Sequence, residues 1–472
     1  MENRLTARAF INHKCDYVYS LQLCSVSSFV GNEAPHRRKE NKGEMERKAV
    51  SGIMLALLLM GTLALAFNVR SALGRGTIYI RADGSIDPPT APISTVDYVT
   101  YTFADNIYDA IVIERDNVVV DGEGYTLQGT GTYPSAGINL SGRENVTIRN
   151  IQIKNFWNGI YFYGSSNNIV SGNNITANRI HGIWLYSNSD YNIVSGNTIA
   201  NSSNGIGLGL YAYSNYNSIS GNNVANNGYG IVFHHSSNNS ISGNSMTGNS
   251  AHGFWLDSYS DYNIVSGNTI ASNGYGIVLY YSSNNSVSGN NITANNYRGF
   301  WLYYHSDYNS ISGNTIAGNG YGIVFHSSSN NSICHNSFID NNRQVYDWAE
   351  DYSEVSPSVN VWDDGYPSGG NYWSDSAGED ANGDGIDDTR YVIDGNNQDN
   401  YPLMNPWTPV EEASPLWMQW WFLAIIAVGI AVSAGAAYFL KKRNPPTTPH
   451  PQKGTDAISV TVEQTILARY NR

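Results

Sequence analysis

The sequence predicts an all-β chain, a right-handed parallel β-helix solenoid of about ten coils, followed by one C-terminal transmembrane helix. Three observations lead there. Ser-Gly-Asn begins at 171, 195, 220, 242, 266, 288 and 312, and Cys334-His335-Asn336 takes the eighth place, a spacing of 22 to 25 residues. In phase with it, glycine followed by Ile or Phe, any residue and a large apolar one begins at Gly137, Gly159, Gly182, Gly205, Gly230, Gly253, Gly276, Gly299 and Gly322. Residues 416–440 are an uncharged apolar run, long enough to span a bilayer.

Composition narrows the function classes. Charged residues are 14% of the 472, and the net charge is −13, so the chain offers no basic field for a phosphate backbone and no nucleic-acid partner is expected. Cys15 and Cys24 fall in a segment expected to be absent from the mature protein. That leaves Cys334 unpaired and excludes a disulfide scaffold or a cysteine-based zinc site.

At the N-terminal end, residues 1–44 read as a non-translated or disordered extension. Residues 45–72 read as a signal peptide starting at Met45, with Glu46-Arg47-Lys48 before the apolar stretch 49–67 and Ala64-Leu65-Ala66 as its cleavage pattern. At the other end, Trp417, Trp420 and Trp421 sit at one interface of the 416–440 span and Lys441-Lys442-Arg443 lies beyond the other. This places the tail 441–472 in the cytoplasm and the repeats outside the cell membrane. Between the ends lie a cap with the first coil (76–136), the repeats (137–340), a closing cap (341–405) and a linker (406–415).

Each repeat holds short apolar alternations broken by Gly, Ser and Asn, the pattern of short strands, with no stretch able to nucleate a helix. Three strands and three turns per coil follow, with Asn side chains stacked as an amide ladder at one turn. Turns reading Ser-Asp-Tyr-Asn (Asp190, Asp261, Asp307) alternate with Ser-Ser-Asn-Asn turns (Asn238, Asn284, Asn330), so the units pair into a 46-residue doublet. Eight Asn-x-Ser/Thr sequons, among them Asn174, Asn238 and Asn291, suit a surface protein, although any at ladder positions would be buried.

The opening TIYIRADGSIDPPTAPI, the block VVVDGEGYTLQGTG, the repeats, and the closing GNYWSD, DANGDGIDDTRYVID and NYPLM together resemble right-handed parallel β-helix proteins of the NosD type, many of them archaeal cell-surface proteins. The resemblance covers about 77–405. It implies copper as a cofactor and a part in maturing the copper site of nitrous-oxide reductase, a role that does not follow from the fold.

Three candidate sites emerge. Asp380, Asn382, Asp384 and Asp388 stand at positions 1, 3, 5 and 9 of a calcium loop with Gly385 at the sharp turn; Tyr391 stands at position 12, where an EF-hand has its glutamate, so the loop is expected to be of a weaker, extracellular type that borrows Asp394. The strands supply the second site. If Ile277 and Leu279 point inward, Val278 and Tyr280 point outward. Read down the coils, the outward positions form one column with Trp184, Val232, Trp255, Val278, Trp301 and Val324, and another with Tyr186, His234, Asp257, Tyr280, Tyr303 and His326. Trp255 and Trp301 then recur about 10 Å apart, two coils of about 4.8 Å, which suits stacking on the sugars of an extended polysaccharide or surface glycan.

His234 and Asp257 on adjacent coils form the third, the weak catalytic candidate for a polysaccharide lyase or glycoside hydrolase. Residues 191–256 hold no Asp, Glu, Lys or Arg, so the residues favour binding over catalysis. Copper lacks support from the residues themselves, because His181 and His252 lie three coils apart and no Met or Cys cluster supplies soft ligands. A purely structural envelope role is the remaining alternative.

Overall fold

The structure is a computed structural model and describes residues 76–408 except residue 203. The expected extension, signal, transmembrane helix and tail lie outside the described residues, as does most of the linker. Among the described residues no helix is long and apolar enough to cross a membrane.

Three long sheets, of thirteen, twelve and eleven strands, run the length of the repeats, and successive coils pair in parallel. One coil shows the unit: Tyr275–Tyr280 in the first sheet, Ser286–Ser288 in the second, Asn291–Thr293 in the third, then Arg298–Tyr303 back in the first beside Tyr275–Tyr280. The result is an all-β parallel solenoid of the right-handed type with about eleven turns. The count exceeds the expected ten because Thr77–Ile80 and Ala110–Ile113 already pair in parallel inside the segment read as the cap.

Each turn buries one set of inward side chains. Ile277, Leu279, Val287 and Ile292 have no exposed surface, and full burial of each such side chain stabilises by about 1.5–3 kcal/mol. The recurrent strand glycine is a steric requirement. A Cβ on Gly276 would lie 2.4 Å from the Gly299 carbonyl oxygen and 2.8 Å from Ile292 Cγ2. The Ser-Gly-Asn glycine serves differently: Gly289 turns the corner between the second and third sheets at φ 64°, and His335 takes the same left-handed place at φ 58°.

Polar ladders hold the corners. Three asparagine ladders stand where one was expected, and a serine ladder accompanies them. In one asparagine ladder, Asn290 Oδ1 accepts from both the backbone N and the Nδ2 of Asn268 at 2.9 Å, and Asn290 Nδ2 donates to Asn314 Oδ1 and to the Val265 carbonyl at 2.9 Å each. Asn263, Asn285 and Asn309 repeat the pattern at a second corner, and Asn273, Asn295 and Asn319 at a third. Ser260, Ser282 and Ser306 pass backbone N–H to hydroxyl from coil to coil. The doublet also has a reason: Asp261 and Asp307 accept from the backbone N of Ser283 and Ser329 on the coil that follows each, both at 2.6 Å. Carboxylates on every coil would stand about 4.8 Å apart and repel.

One register differs from the expected one. In the stretch Gly205-Ile206-Gly207-Leu208-Gly209-Leu210-Tyr211 the strand glycine is Gly207, not Gly205. Leu208 pairs with Ile183 and Ile231, and Tyr211 with Tyr186 and His234. Gly205-Ile206 fits the marker and Gly207-Leu208 departs from it by one residue type, yet burial of Leu208 and Leu210 sets the register on Gly207.

Both ends of the solenoid are covered. Ile86–Asp87 and Ile93–Ser94 add antiparallel strands at the first edge. At the last coil Trp373 stacks between Phe338 at 4.5 Å and Tyr391 at 4.3 Å. Buried Asp399 accepts from the Asn371 backbone N and Trp373 Nε1 there.

Candidate functional site

The six-residue strands of the first sheet carry three outward columns rather than two. The additional column is the first residue of each strand, where His181, Ile206, Tyr229, His252, Tyr275, Arg298 and Tyr321 follow one another. Its only sequence signal is the outward parity of the residue before the strand glycine, and the mixture of types hides it.

The middle column keeps the expected register, Trp255 beside Val278 beside Trp301. It does not face open solvent. Val232, Val278 and Val324 are at most 2% exposed, and Trp184, Trp255 and Trp301 are half-buried. Trp301 leans back over the preceding coil, stacking on Tyr275 at 5.6 Å, and Trp255 stacks in the same way on Tyr229 at 5.7 Å. An indole is wider than the strand spacing of about 4.8 Å, so Trp255 covers Val232 and Trp301 covers Val278 on the coil before each. Period two gives the direction of a side chain, not what lies on top of it. The Nε1 atoms of Trp184, Trp255 and Trp301 are buried without a hydrogen-bond partner.

In the outer column Tyr186, Tyr280 and Tyr303 are half-buried and His326 is buried, which corrects its expected exposure. Trp348 closes over His326 at 5.0 Å between ring centres. A further aromatic ladder, part exposed and part half-buried, stands one step further out, at the turn. Tyr213, His235, Tyr259, Tyr281 and Tyr304 follow one another at 5.8, 6.0, 6.1 and 5.5 Å, three of the four contacts stacked. Tyr259 is 64% exposed. These residues occupy left-handed turn positions. They lie one or two residues beyond the outer column because the turns alternate in length, and that alternation conceals the ladder in the sequence.

His234 and Asp257 come together. His234 Nδ1 donates to Asp257 Oδ2 at 2.8 Å, and Ser258 Oγ donates to Asp257 Oδ1 at 3.0 Å. The His234 side chain is 34% exposed, which leaves Nε2 as the basic nitrogen. The neighbouring His235 is held below the ordinary histidine range by burial and by His234. His181 and His252 are neutral groups of the face, pushed by burial to about 3 and about 4. His181 Nδ1 donates to Asn158 Oδ1 at 2.8 Å while the ring stacks on Trp184 at 4.3 Å.

Two concavities flank this face. One of about 860 Å3 lies toward the N-terminal end, lined by Tyr133, Trp157, Tyr161, His181 and Trp184 among others. Another of about 380 Å3 lies beside Tyr275, Tyr297, Arg298 and Tyr321.

The acidic loop is closed by its own backbone. Asp380 accepts from the N–H groups of Gly383, Asp384 and Gly385, Asn382 from Asp384, Asp384 from Ile386, and Asp388 from Ala381. Asp394 does not turn toward this loop but accepts from Asn396 and Asn397. Among the described residues no three His, Cys, Asp or Glu side chains are grouped to hold a metal, so the expectation of calcium at Asp380, Asn382, Asp384 and Asp388 finds no support. Copper fits no better. Met246 is sealed in the core, Cys334 has only Ser332 in reach at 3.9 Å, and His181 and His252 stand three turns apart.

The family model described as periplasmic copper-binding protein (NosD) matches residues 92–252 and 209–378, together more than half of the chain. No curated protein matches. Among solved structures, a mutant of the periplasmic alginate epimerase AlgG is similar at 19% identity and TM-score 0.40, over 51% of this chain and 62% of that one. The A-module of the Azotobacter vinelandii mannuronan C-5 epimerase AlgE4 is similar at 15% and 0.42, over 53% and 81%. The catalytic domain of a GH87 alpha-1,3-glucanase is similar at 15% and 0.42, over 58% and 63%.

Proposed function

The chain belongs to the NosD family, and on that premise we propose that it is a solenoid held at the outer side of a membrane that binds polysaccharide along the outer face of its first sheet. One observation carries this reading: the turn ladder Tyr213–His235–Tyr259–Tyr281–Tyr304, in register from coil to coil, with Tyr213 and Tyr259 exposed and the others half-buried like Tyr280 and Tyr303 beside them. Flat apolar ring faces with polar tips suit sugar rings, which present C–H groups to an aromatic plane and hydroxyls to its edge. Between Ala136 and His326 the strands of this sheet hold one carboxylate, Asp257, which suits retention better than bond cleavage. The membrane anchor of the proposal is the apolar run 416–440.

The test uses two rings of the turn ladder, since Trp255 and Trp301 also cover the valines. The full chain carrying Tyr259→Ala and Tyr281→Ala is expected to lose retention on a polysaccharide array while keeping its β-sheet circular dichroism. Retention equal to the parent discards the binding face. A second reading, cleavage of the glycan, is favoured by the His234–Asp257 hydrogen bond. Shortened oligosaccharides released by the parent and not by His234→Ala would establish it.

A further inference from the structure

Arg298 is a half-buried cation that the fold leaves without a counter-ion. Arg81, Arg143, Arg149 and Arg343 each pair with a carboxylate. Arg298 has no hydrogen bond or ion pair among the described residues, and its Nη1 is buried without a partner. The guanidinium lies 3.9 Å above the Trp301 ring and 5.5 Å from that of Tyr275. Burial holds its pKa below the ordinary arginine value, although an arginine stays charged in any case. Removing a cation from water without an anion is unfavourable, and in a chain of net charge −13 carboxylates were available for the purpose.

The surroundings are those of a receptor. The concavity of about 380 Å3 is lined by Arg298, Arg343, Tyr275, Tyr297, Tyr321 and Asn342, among others. Arg343 is already committed to Glu350. Along one strand Arg298 continues into the aromatic platform: Trp301 stacks on Tyr303 at 4.4 Å, and Tyr303 meets Tyr304 of the turn ladder at 4.2 Å. A cation thus stands at one edge of the face and stacking rings at the other.

We propose that Arg298 and the concavity around it form a subsite for the carboxylate of an acidic sugar, so that the glycan bound on this face is a uronate polysaccharide. The inference rests on the reading of the face as a glycan platform. The planar guanidinium presents donors in the fork that matches a carboxylate, and the tyrosines around it supply hydroxyls for the ring.

The experiment measures binding of the full chain to polygalacturonate and polymannuronate, each beside its carboxyl-reduced, neutral counterpart. The parent is expected to bind at least one acidic polymer about ten-fold or more tightly than its reduced form. Arg298→Gln should remove that preference and Arg298→Lys should restore part of it, with unfolding temperature verifying that both variants fold. Equal binding of acidic and reduced polymers by the parent overturns the carboxylate subsite and leaves the platform standing. A preference that survives in Arg298→Gln overturns the role of this residue. Binding of neither form overturns the platform and the subsite together.

Discussion

The corners of the solenoid and the outer face of its first sheet treat polar atoms in opposite ways. At the corners Asn268, Asn290 and Asn314 are buried, and every side-chain donor and acceptor finds a partner within about one coil. On the face, also largely screened from water, Trp184, Trp255 and Trp301 keep indole N–H groups without acceptors and Arg298 keeps a bare nitrogen. Buried polar groups are normally satisfied because leaving one unpaired costs about 1–3 kcal/mol. The corners follow that rule for stability. Among the described residues the buried polar atoms without a partner divide unevenly: Asn178 and Ser202 at one corner, against Trp184, His252, Trp255, Arg298, Trp301, His326 and the adjoining Trp348 at the face, and that imbalance marks the face as built for something other than holding itself together.

The sharpest way to break this comparison is to truncate one residue from each region. Asn290→Ala strands the N and Nδ2 of Asn268 together, and an unfolding free energy lower by about 3 kcal/mol is expected. Tyr280→Ala removes a half-buried ring whose lost packing should cost about 1 kcal/mol or less. Denaturant titration of the two variants checks this, and equal losses would make the face as structural as the corners.

A smaller effect separates face from closing cap by pH. His181 and His252 sit near 3 and 4 in the folded chain against 6.5 when unfolded. Between those values the unfolded chain binds more protons, so stability should fall as pH drops below about 6.5. His181→Phe and His252→Phe should flatten the fall of melting temperature with acid, and an unchanged slope would show that these rings are not buried neutral.

The smallest effect has the opposite sign. Burial raises Asp399 from 3.8 to about 6, so the folded cap binds more protons between those values and gains stability as pH falls from about 6 toward 4. Amide exchange at 371–373, corrected for intrinsic rates, should be slower relative to the rest of the chain at about pH 4.5 than at pH 7. Faster exchange at the lower pH would contradict the assignment.

Much of this fold was legible because its signals are steric. The strand glycine recurs because Gly299 and Ile292 leave no room for a Cβ on Gly276, and the inward pair Ile277 and Leu279 alternates as parity demands. The corner asparagines were read as turn residues with one ladder, since nothing in Ser-Gly-Asn says that neighbours such as Asn263 and Asn273 also point inward. The site was legible in register and not in exposure. Trp255 and Trp301 stand where expected, yet only packing shows that they shelter Val232 and Val278. The turn ladder through Tyr259 and the cation at Arg298 escaped notice because their columns mix residue types or shift by one position between coils.

The alternation of tryptophan and valine from Trp255 to Val324 has a consequence for how such an array can change length. Losing the single coil that carries Val278 would set Trp255 and Trp301 on adjacent strands, with Trp301 leaning into space that Trp255 occupies. Losing two coils would restore the pattern. The heritable unit of this stretch is therefore the 46-residue pair, and recombination between its repeats should be tolerated in even steps and eliminated in odd ones.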